Sequence, residues 1–335
     1  MQKGKNKRSL ELLKHCDTKK IVIFGGLGFI GRNLTIKLLN IGYNVTLVDN
    51  NLENRNFKII KKIRNLKIIK GDILDRKSIA SILKNKYDVL YNLAAHSGPQ
   101  ASVDYPFLDL ETNVLGSLNV LEEARKYKDL VVVFLGSRLE YGEVSKIPVP
   151  ETESSNPQTI YGLSKFTASS YHILYNKLYS VKTIVVRGAN PYGPHICNPN
   201  PSYNIINFFI DLANKGEKIK VFDTVKNQLK DYIYIDDFCD ALIKLPLNKK
   251  TYGQIFNLGS GKGIKFIDAA KIIVKSLGRG GVEILKQSAE LKKIEAGDYV
   301  SDIGKICNYI DWKPKINFDK GVLMTTSLKH DIFNI

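Results

Sequence analysis

Apolar residues follow two rhythms along this chain. Short, almost continuous runs end in glycine, asparagine or aspartate, while longer stretches repeat apolar residues every three or four positions. The first rhythm predicts strands at Lys20–Phe24, Val45–Asp49, Leu66–Lys70, Asp88–Ala95, Leu130–Leu135 and Thr183–Arg187. The second predicts helices over Phe29–Ile41, Arg76–Lys84, Leu108–Tyr127 and Thr159–Tyr179. Strands that are apolar on both faces, alternating with amphipathic helices, imply a parallel sheet covered on both sides. The expected fold class is therefore α/β, a doubly wound parallel sheet of the Rossmann type.

After Arg187 the rhythm changes. Residues 188–202 contain Pro191, Pro194, Pro199 and Pro201, the punctuation of a loop region. Beyond it the pattern predicts a helix at Ile205–Asn214, strands near Ile219, at Tyr232–Ile235 and at Ile255–Leu258, then helices at Phe266–Leu277 and Asp302–Tyr309. This half reads as a smaller, mixed lobe draped on the sheet.

Composition changes little in that picture. Apolar residues make up 44% and charged residues 25% of 335 positions, as in ordinary globular proteins. Apolar runs are too short to span a bilayer. The basic start lacks the apolar stretch of a secretory signal. Cys16, Cys197, Cys239 and Cys307 are scattered without ligand spacing, so free thiols in a reducing cytoplasm are expected and no metal site. The net charge of +17 is the unusual number. It could indicate nucleic acid, but Lys outnumbers Arg 41 to 9, and 14 of the 17 charges fall in residues 1–20 and 54–86. That excess reads as a basic flexible tail, residues 1–19, and a solvated face. No nucleic-acid partner is expected.

Candidate chemistry begins where the first strand ends. Gly25-Gly26-Leu27-Gly28-Phe29-Ile30-Gly31 places a glycine turn between a strand and a helix. Glycines there permit a tight turn, close approach of backbone N–H groups to a pyrophosphate, and close packing of helix on strand. The helix N-terminus offers unpaired donors to an anion. Asp49 ends the second strand, where a carboxylate accepts from both adenosine ribose hydroxyls and repels a 2′-phosphate, favouring NAD over NADP. Asp72 either meets the adenine amine or caps a turn. Residues 20–187 thus form the expected NAD-binding domain. Residues 188–335 are mainly a substrate-binding lobe, with the strands near 231–236 and 255–258 returning to the first domain.

Tyr161 and Lys165 lie four apart, on one helix face. An ammonium beside a phenol is expected to lower the phenol pKa, making Tyr161 a general base. Ser137 follows a buried strand, where its hydroxyl can hold the oxygen being oxidised or reduced.

Taken in order, these elements resemble the extended short-chain dehydrogenase/reductase superfamily, in its nucleotide-sugar epimerase/dehydratase branch, which includes the UDP-glucose 4-epimerases. The similar segments are GGLGFIG, VDN, GDILD, Asn92–Ala95, NVLGSLNVLEEAR, Ser137 with the following YG, YGLSK, Arg187–Pro194, QLKDYIYIDD and the WKP at Trp312. The resemblance implies a hydride cycle. Tyr161 removes a proton from a sugar hydroxyl, Ser137 holds the same oxygen, and Lys165 also binds the nicotinamide ribose. It implies cofactor contacts from Gly25, Gly28, Phe29, Ile30, Gly31, Asp49 and Asn50. Further contacts come from Asp72, Ile73, Ala94 and Asn113, besides Tyr161 and Lys165. Substrate contacts are implied for Ser137, Asn190 and Lys230. His96 either lines the sugar pocket or is structural, and Arg138 meets an anionic substrate or a surface carboxylate.

Departures from the family pattern select among its branches. Dehydratases carry an acidic pair after the Ser/Thr, where this chain has Arg138 and Leu139, and decarboxylases keep a Glu at the second of these positions. Epimerisation, at C4, becomes the expected activity, in service of polysaccharide or glycoconjugate synthesis. A 4-keto-6-deoxy nucleotide-sugar reductase is the alternative, disfavoured by Asp49, and a non-catalytic NAD sensor has no need of Ser137, Tyr161 and Lys165. Two arginines that grip the diphosphate in the family are Lys230 and Glu295 here, with Lys292 or Lys293 as possible substitutes for the second. A homodimer through the helices at 108–127 and 159–179 is also implied.

Overall fold

A computed structural model describes residues 19–52, 64–196, 204–286 and 297–327. The basic tail up to residue 18, Cys16, Cys197, Lys292, Lys293 and Glu295 lie outside the described residues. In the first half the strands are β1 (Lys20–Phe24), β2 (Asn44–Asp49), β3 (Leu66–Lys70), β4 (Val89–Asn92), β5 (Val131–Ser137) and β6 (Lys182–Gly188). They are followed by β7 (Asn190–Tyr192), β8 (Lys218–Phe222), β9 (Leu229–Tyr234), β10 (Gln254–Leu258), β11 (Gly263–Lys265) and β12 (Gly281–Leu285).

Seven strands form one parallel sheet in the order β10-β6-β5-β4-β1-β2-β3. The chain runs outward from β1 to β3, then returns across it to β4, the reversal that opens a crevice at the carboxyl ends of the strands. The apolar runs sit here because both faces are covered. Ile21–Phe24 and Val131–Phe134 are wholly buried. Each such side chain contributes about 1.5–3 kcal/mol relative to exposure.

Local signals set the helix ends that face the crevice. The helix Phe29–Ile41 starts directly from Gly28, with no side chain bonded to its first N–H groups. The helix Ile160–Tyr179 is capped by Thr159, whose hydroxyl accepts from the Gly162 N–H at 2.9 Å. The region expected as one helix from Leu108 to Tyr127 is instead the helix Pro106–Leu110, a wider i→i+5 turn at Glu111–Leu115, and the helix Gly116–Ala124. Such a wide turn bulges the backbone and redirects the side chains it carries. Here it carries Asn113.

The second half departs from expectation at one strand. β10 does return to the large sheet, beside β6. β9, predicted to do the same, pairs with β7 and β11 in a separate three-stranded sheet. The helix Ile235–Lys244 follows it without a break, and the pattern had not predicted this helix. β8 and β12 pair in parallel as a further small sheet. The lobe has its own core, including Phe209, Ile219, Tyr232, Tyr234, Ile273 and Phe318. Cys239 is a buried free thiol and Cys307 a partly exposed one.

Candidate active site

The glycine turn closes by backbone contacts. The N–H groups of Gly25 and Gly26 both donate to the Val48 carbonyl, at 2.9 and 3.1 Å. Gly25 has φ 73°, a conformation that side chains resist. A Cβ on Gly31 would stand 2.5 Å from the Gly25 carbonyl oxygen, so helix and turn meet at a distance only glycine allows. Asp49, at the end of β2, accepts from the Leu27 N–H and the Asn51 N–H, each at 3.0 Å. Burial raises its carboxyl pKa, and these two backbone N–H groups oppose that shift. Asp72 caps its own turn by accepting from the Leu74 N–H at 2.9 Å, and also accepts from the Asn50 amide at 3.0 Å.

At the other end of the crevice stands Ser137, the last residue of β5. Its hydroxyl accepts from the Leu139 N–H at 3.2 Å. Its own N–H donates to Glu140 Oε1 at 2.8 Å. Glu140 is wholly buried and does not line the cavity. Its second oxygen pairs with Arg187 Nε at 2.7 Å, and Ser169 Oγ donates to the first at 3.0 Å. This buried ion pair anchors the backbone that presents Ser137.

Tyr161 and Lys165 face the crevice from the helix Ile160–Tyr179, as their spacing predicts. Their electrostatics differ from expectation. Burial pushes the Tyr161 phenol well above its usual value, and the Glu140 and Asp109 carboxylates push it further. Burial pulls Lys165 down to about 8, against the attraction of the same two carboxylates. The Lys165 ammonium sits 4.2 Å from the centre of the Phe134 ring. Desolvation therefore leads both shifts in the protein alone.

A cavity of about 640 Å³ joins the two ends. Gly25, Gly28, Phe29, Ile30, Gly31, Asp49 and Asn50 line one end, with Asp72, Ile73 and Ala94 nearby. Ser137, Arg138, Leu139, Tyr161, Lys165 and Asn190 line the other. Three residues expected in the site do not line it. His96 turns its ring away, edge-on to Tyr105, with Nδ1 3.8 Å from Asp109 Oδ2. Asn113 sits under the loop that carries His96. Its amide donates to the His96 carbonyl and to Asp109 Oδ2, both at 2.9 Å, and its oxygen accepts from the His96 N–H at 3.2 Å. The wide helical turn aims Asn113 at that loop rather than at the cavity. Lys230 extends outward, where its ammonium donates to the Gly297 carbonyl at 3.0 Å.

Asp109 is the residue that sequence reading missed. It is wholly buried and raises the pKa of both Tyr161 and Lys165. Its position four residues before Asn113, on the same helical face, was the available signal. Arg138 was ambiguous from sequence; the structure places it in the cavity wall. Its Nε donates to Asn190 Oδ1 at 3.2 Å and its guanidinium lies 5.7 Å from the Tyr299 ring centre.

The residues present fit a dinucleotide. The free N–H groups of the helix Phe29–Ile41 open on the cavity at Gly28, which suits a pyrophosphate. Asp49 stands where a ribose diol would be held, and the cavity is of ligand size. Comparison with known proteins agrees. Residues 21–259 match the model of the NAD dependent epimerase/dehydratase family. A putative UDP-glucose 4-epimerase of Methanocaldococcus jannaschii is 32% identical over 303 residues, covering 90% of this chain and 95% of that protein. Among solved structures, an epimerase of Methanothermobacter thermautotrophicus superposes with a TM-score of 0.86 at 28% identity, covering 95% of this chain and 94% of that one. The Thermus thermophilus UDP-glucose 4-epimerase, solved with NAD, gives 0.81 at 25% identity, covering 94% and 99%. Fold, cavity and sequence together make this chain a member of the NAD-dependent epimerase/dehydratase family, an NAD-using enzyme on a Rossmann-type sheet.

Proposed function

We propose that the protein epimerises a nucleoside-diphosphate sugar at C4. One observation carries the choice of reaction within the family. Among the described residues lining the cavity, the only carboxylates are Asp49 and Asp72, at the end opposite Ser137. Removal of water needs an acid and a base beside the oxidised carbon, and Arg138 and Leu139 occupy the positions next to Ser137. Glu140 is not available for that role, because it is buried in its pair with Arg187.

The chain's own groups support the following course. Tyr161 Oη takes the proton of the sugar hydroxyl, while Ser137 Oγ holds the same oxygen. NAD, when bound in this cavity, would supply the hydride acceptor and donor and add positive charge. Added positive charge favours the phenolate that burial and the two carboxylates disfavour. Loss of one proton and one hydride leaves a keto sugar. When the sugar turns over, the hydride would return to the opposite face of the same carbon, and Tyr161 would give its proton back to the oxygen. The cofactor ends as it began, so none is consumed. Lys165 would hold the ribose side of the cofactor, and Gly28 with Asp49 would hold the rest.

A homodimer also accords with the surface. Phe107, just before the first expected dimer helix, is 79% exposed, and Leu163 and Leu178, on the second, are 55% and 64% exposed. Exposed large apolar side chains favour an interaction site.

The test is a panel of UDP-, dTDP-, GDP- and CDP-sugars read by NMR. Inversion at C4 without net consumption of NADH is the expected result. Net NADH or NADPH consumption would replace epimerisation with keto reduction. Tyr161→Phe should retain bound NAD and lose at least about a hundredfold in kcat; full activity in that variant overturns the assigned chemistry.

A further inference from the structure

A guanidinium in the wall of a substrate cavity needs a counter-charge. Arg138 makes no ion pair with any described carboxylate, and its hydrogen bond runs from Nε to the neutral amide oxygen of Asn190. Asn190 is itself fixed, because its Nδ2 donates to the Asp231 carbonyl at 2.7 Å. The Asp231 carboxylate exerts an attraction on Arg138, but its oxygens are occupied. They accept from the Ser260 N–H and hydroxyl, at 2.8 and 2.6 Å, and from the N–H groups of Gly261 and Ser301, at 3.2 and 3.0 Å. The Tyr299 ring lies against the guanidinium. One edge and one side of the group are thus held, and among the described residues its two terminal nitrogens have no hydrogen-bond partner. The guanidinium is partly buried and faces the cavity, where an anionic ligand could pair with it.

We infer that Arg138 is a specificity residue that takes a carboxylate on the sugar ring, making an acidic sugar nucleotide the preferred substrate. The inference rests on the epimerase reading and deepens it. A neutral sugar would leave the guanidinium uncompensated, whereas a carboxylate meets a planar fork with two parallel hydrogen bonds. Chain geometry favours the sugar over the diphosphate. Arg138 directly follows Ser137, the residue assigned to the reacting oxygen. On a hexose the substituent at C5 is next to C4, while the diphosphate leaves from C1 across the ring. An arginine rooted beside Ser137 reaches the C5 group first.

The experiment measures binding of UDP-glucose and UDP-glucuronate to the NAD-loaded protein by calorimetry, alongside turnover by NMR. The wild type should bind the glucuronate at least about tenfold more tightly, the scale of a hydrogen bond to a charged group. Arg138→Gln should collapse that ratio towards one, and Arg138→Lys should restore part of it. Cofactor content and melting temperature show whether each variant is folded. Wild-type affinities within twofold of each other overturn the inference. So does a ratio that survives in folded Arg138→Gln, or an equal loss for both ligands, which would assign the guanidinium to the diphosphate. Any of these can occur while C4 inversion persists, so the epimerase reading would stand. Absence of binding and turnover with both ligands would instead remove that reading and the inference with it.

Discussion

Lys165 shows why spacing alone does not assign a pKa. Four residues along a helix bring its ammonium to the same face as the Tyr161 phenol, and in water the pair would help each other ionise. Both are buried, and desolvation penalises the charged form of each. The consequence is measurable. Lys165 has a pKa of about 8 in the folded protein against 10.5 when free. Between those values the unfolded chain binds the extra proton, so this group's penalty on folding is relieved as pH rises from about 8 to 10.5. Calorimetric melting of the wild type and Lys165→Met should therefore differ in a pH-dependent way. The difference should move in favour of the wild type as pH rises from 8 to 10. A difference independent of pH would mean that Lys165 is not desolvated.

At the level of elements, the glycine turn was readable because each feature is local: a strand, a turn that requires positive φ, and a helix start. Its tolerance is correspondingly small. In Gly31→Ala the new Cβ would face the Gly25 carbonyl oxygen at 2.5 Å and the Gly26 Cα at 2.7 Å, both backbone atoms that cannot swing aside. Forced repacking of this kind costs about 1–3 kcal/mol. Purified Gly31→Ala should melt lower and carry little or no NAD, as absorbance of the released cofactor would show. Wild-type cofactor content would mean that the turn does not hold the pyrophosphate. The helix Ile235–Lys244 had a signal that went unused. Asp236 and Asp237 lie in its first turn, where acidic side chains favour a helix start. The run from Tyr232 to Ile235 looked like strand, and strand becomes helix at Ile235 with no glycine or proline between them. The wide turn at Glu111–Leu115 left no trace in the apolar rhythm, because one extra residue per turn shifts the pattern too little to notice.

For the whole molecule, the excess of positive charge proved less informative than the distribution of apolar surface. Fourteen of the 17 net charges fall in residues 1–20 and 54–86, and none of the described lysines or arginines there lines the cavity. Among the described residues, most of the exposed large apolar side chains lie in the stretch from Val103 to Leu115 and on the helix Ile160–Tyr179. If they join two copies, light scattering should give twice the chain mass. The double variant Phe107→Glu, Leu178→Glu should then fall to the mass of a single chain, since charges facing each other across an apolar interface oppose association. A wild-type protein with the mass of one chain at micromolar concentration would remove the dimer.

The amino-acid sequence by itself determined the alternation of strands and helices, the glycine turn, Asp49 at the end of its strand, and the shared face of Tyr161 and Lys165. All of these arise from periodicity and backbone preference within about twenty residues. Tertiary structure alone decided which distant side chains meet. It brought Arg138 to Asn190 and Tyr299, Glu140 to Arg187, and Asp109 to His96, while turning His96, Asn113 and Lys230 away from the cavity. It also decided the sign of the shift on Tyr161. Local patterns are set by repeat geometry, whereas ion pairing and desolvation depend on neighbours and burial that exist only once the chain has folded.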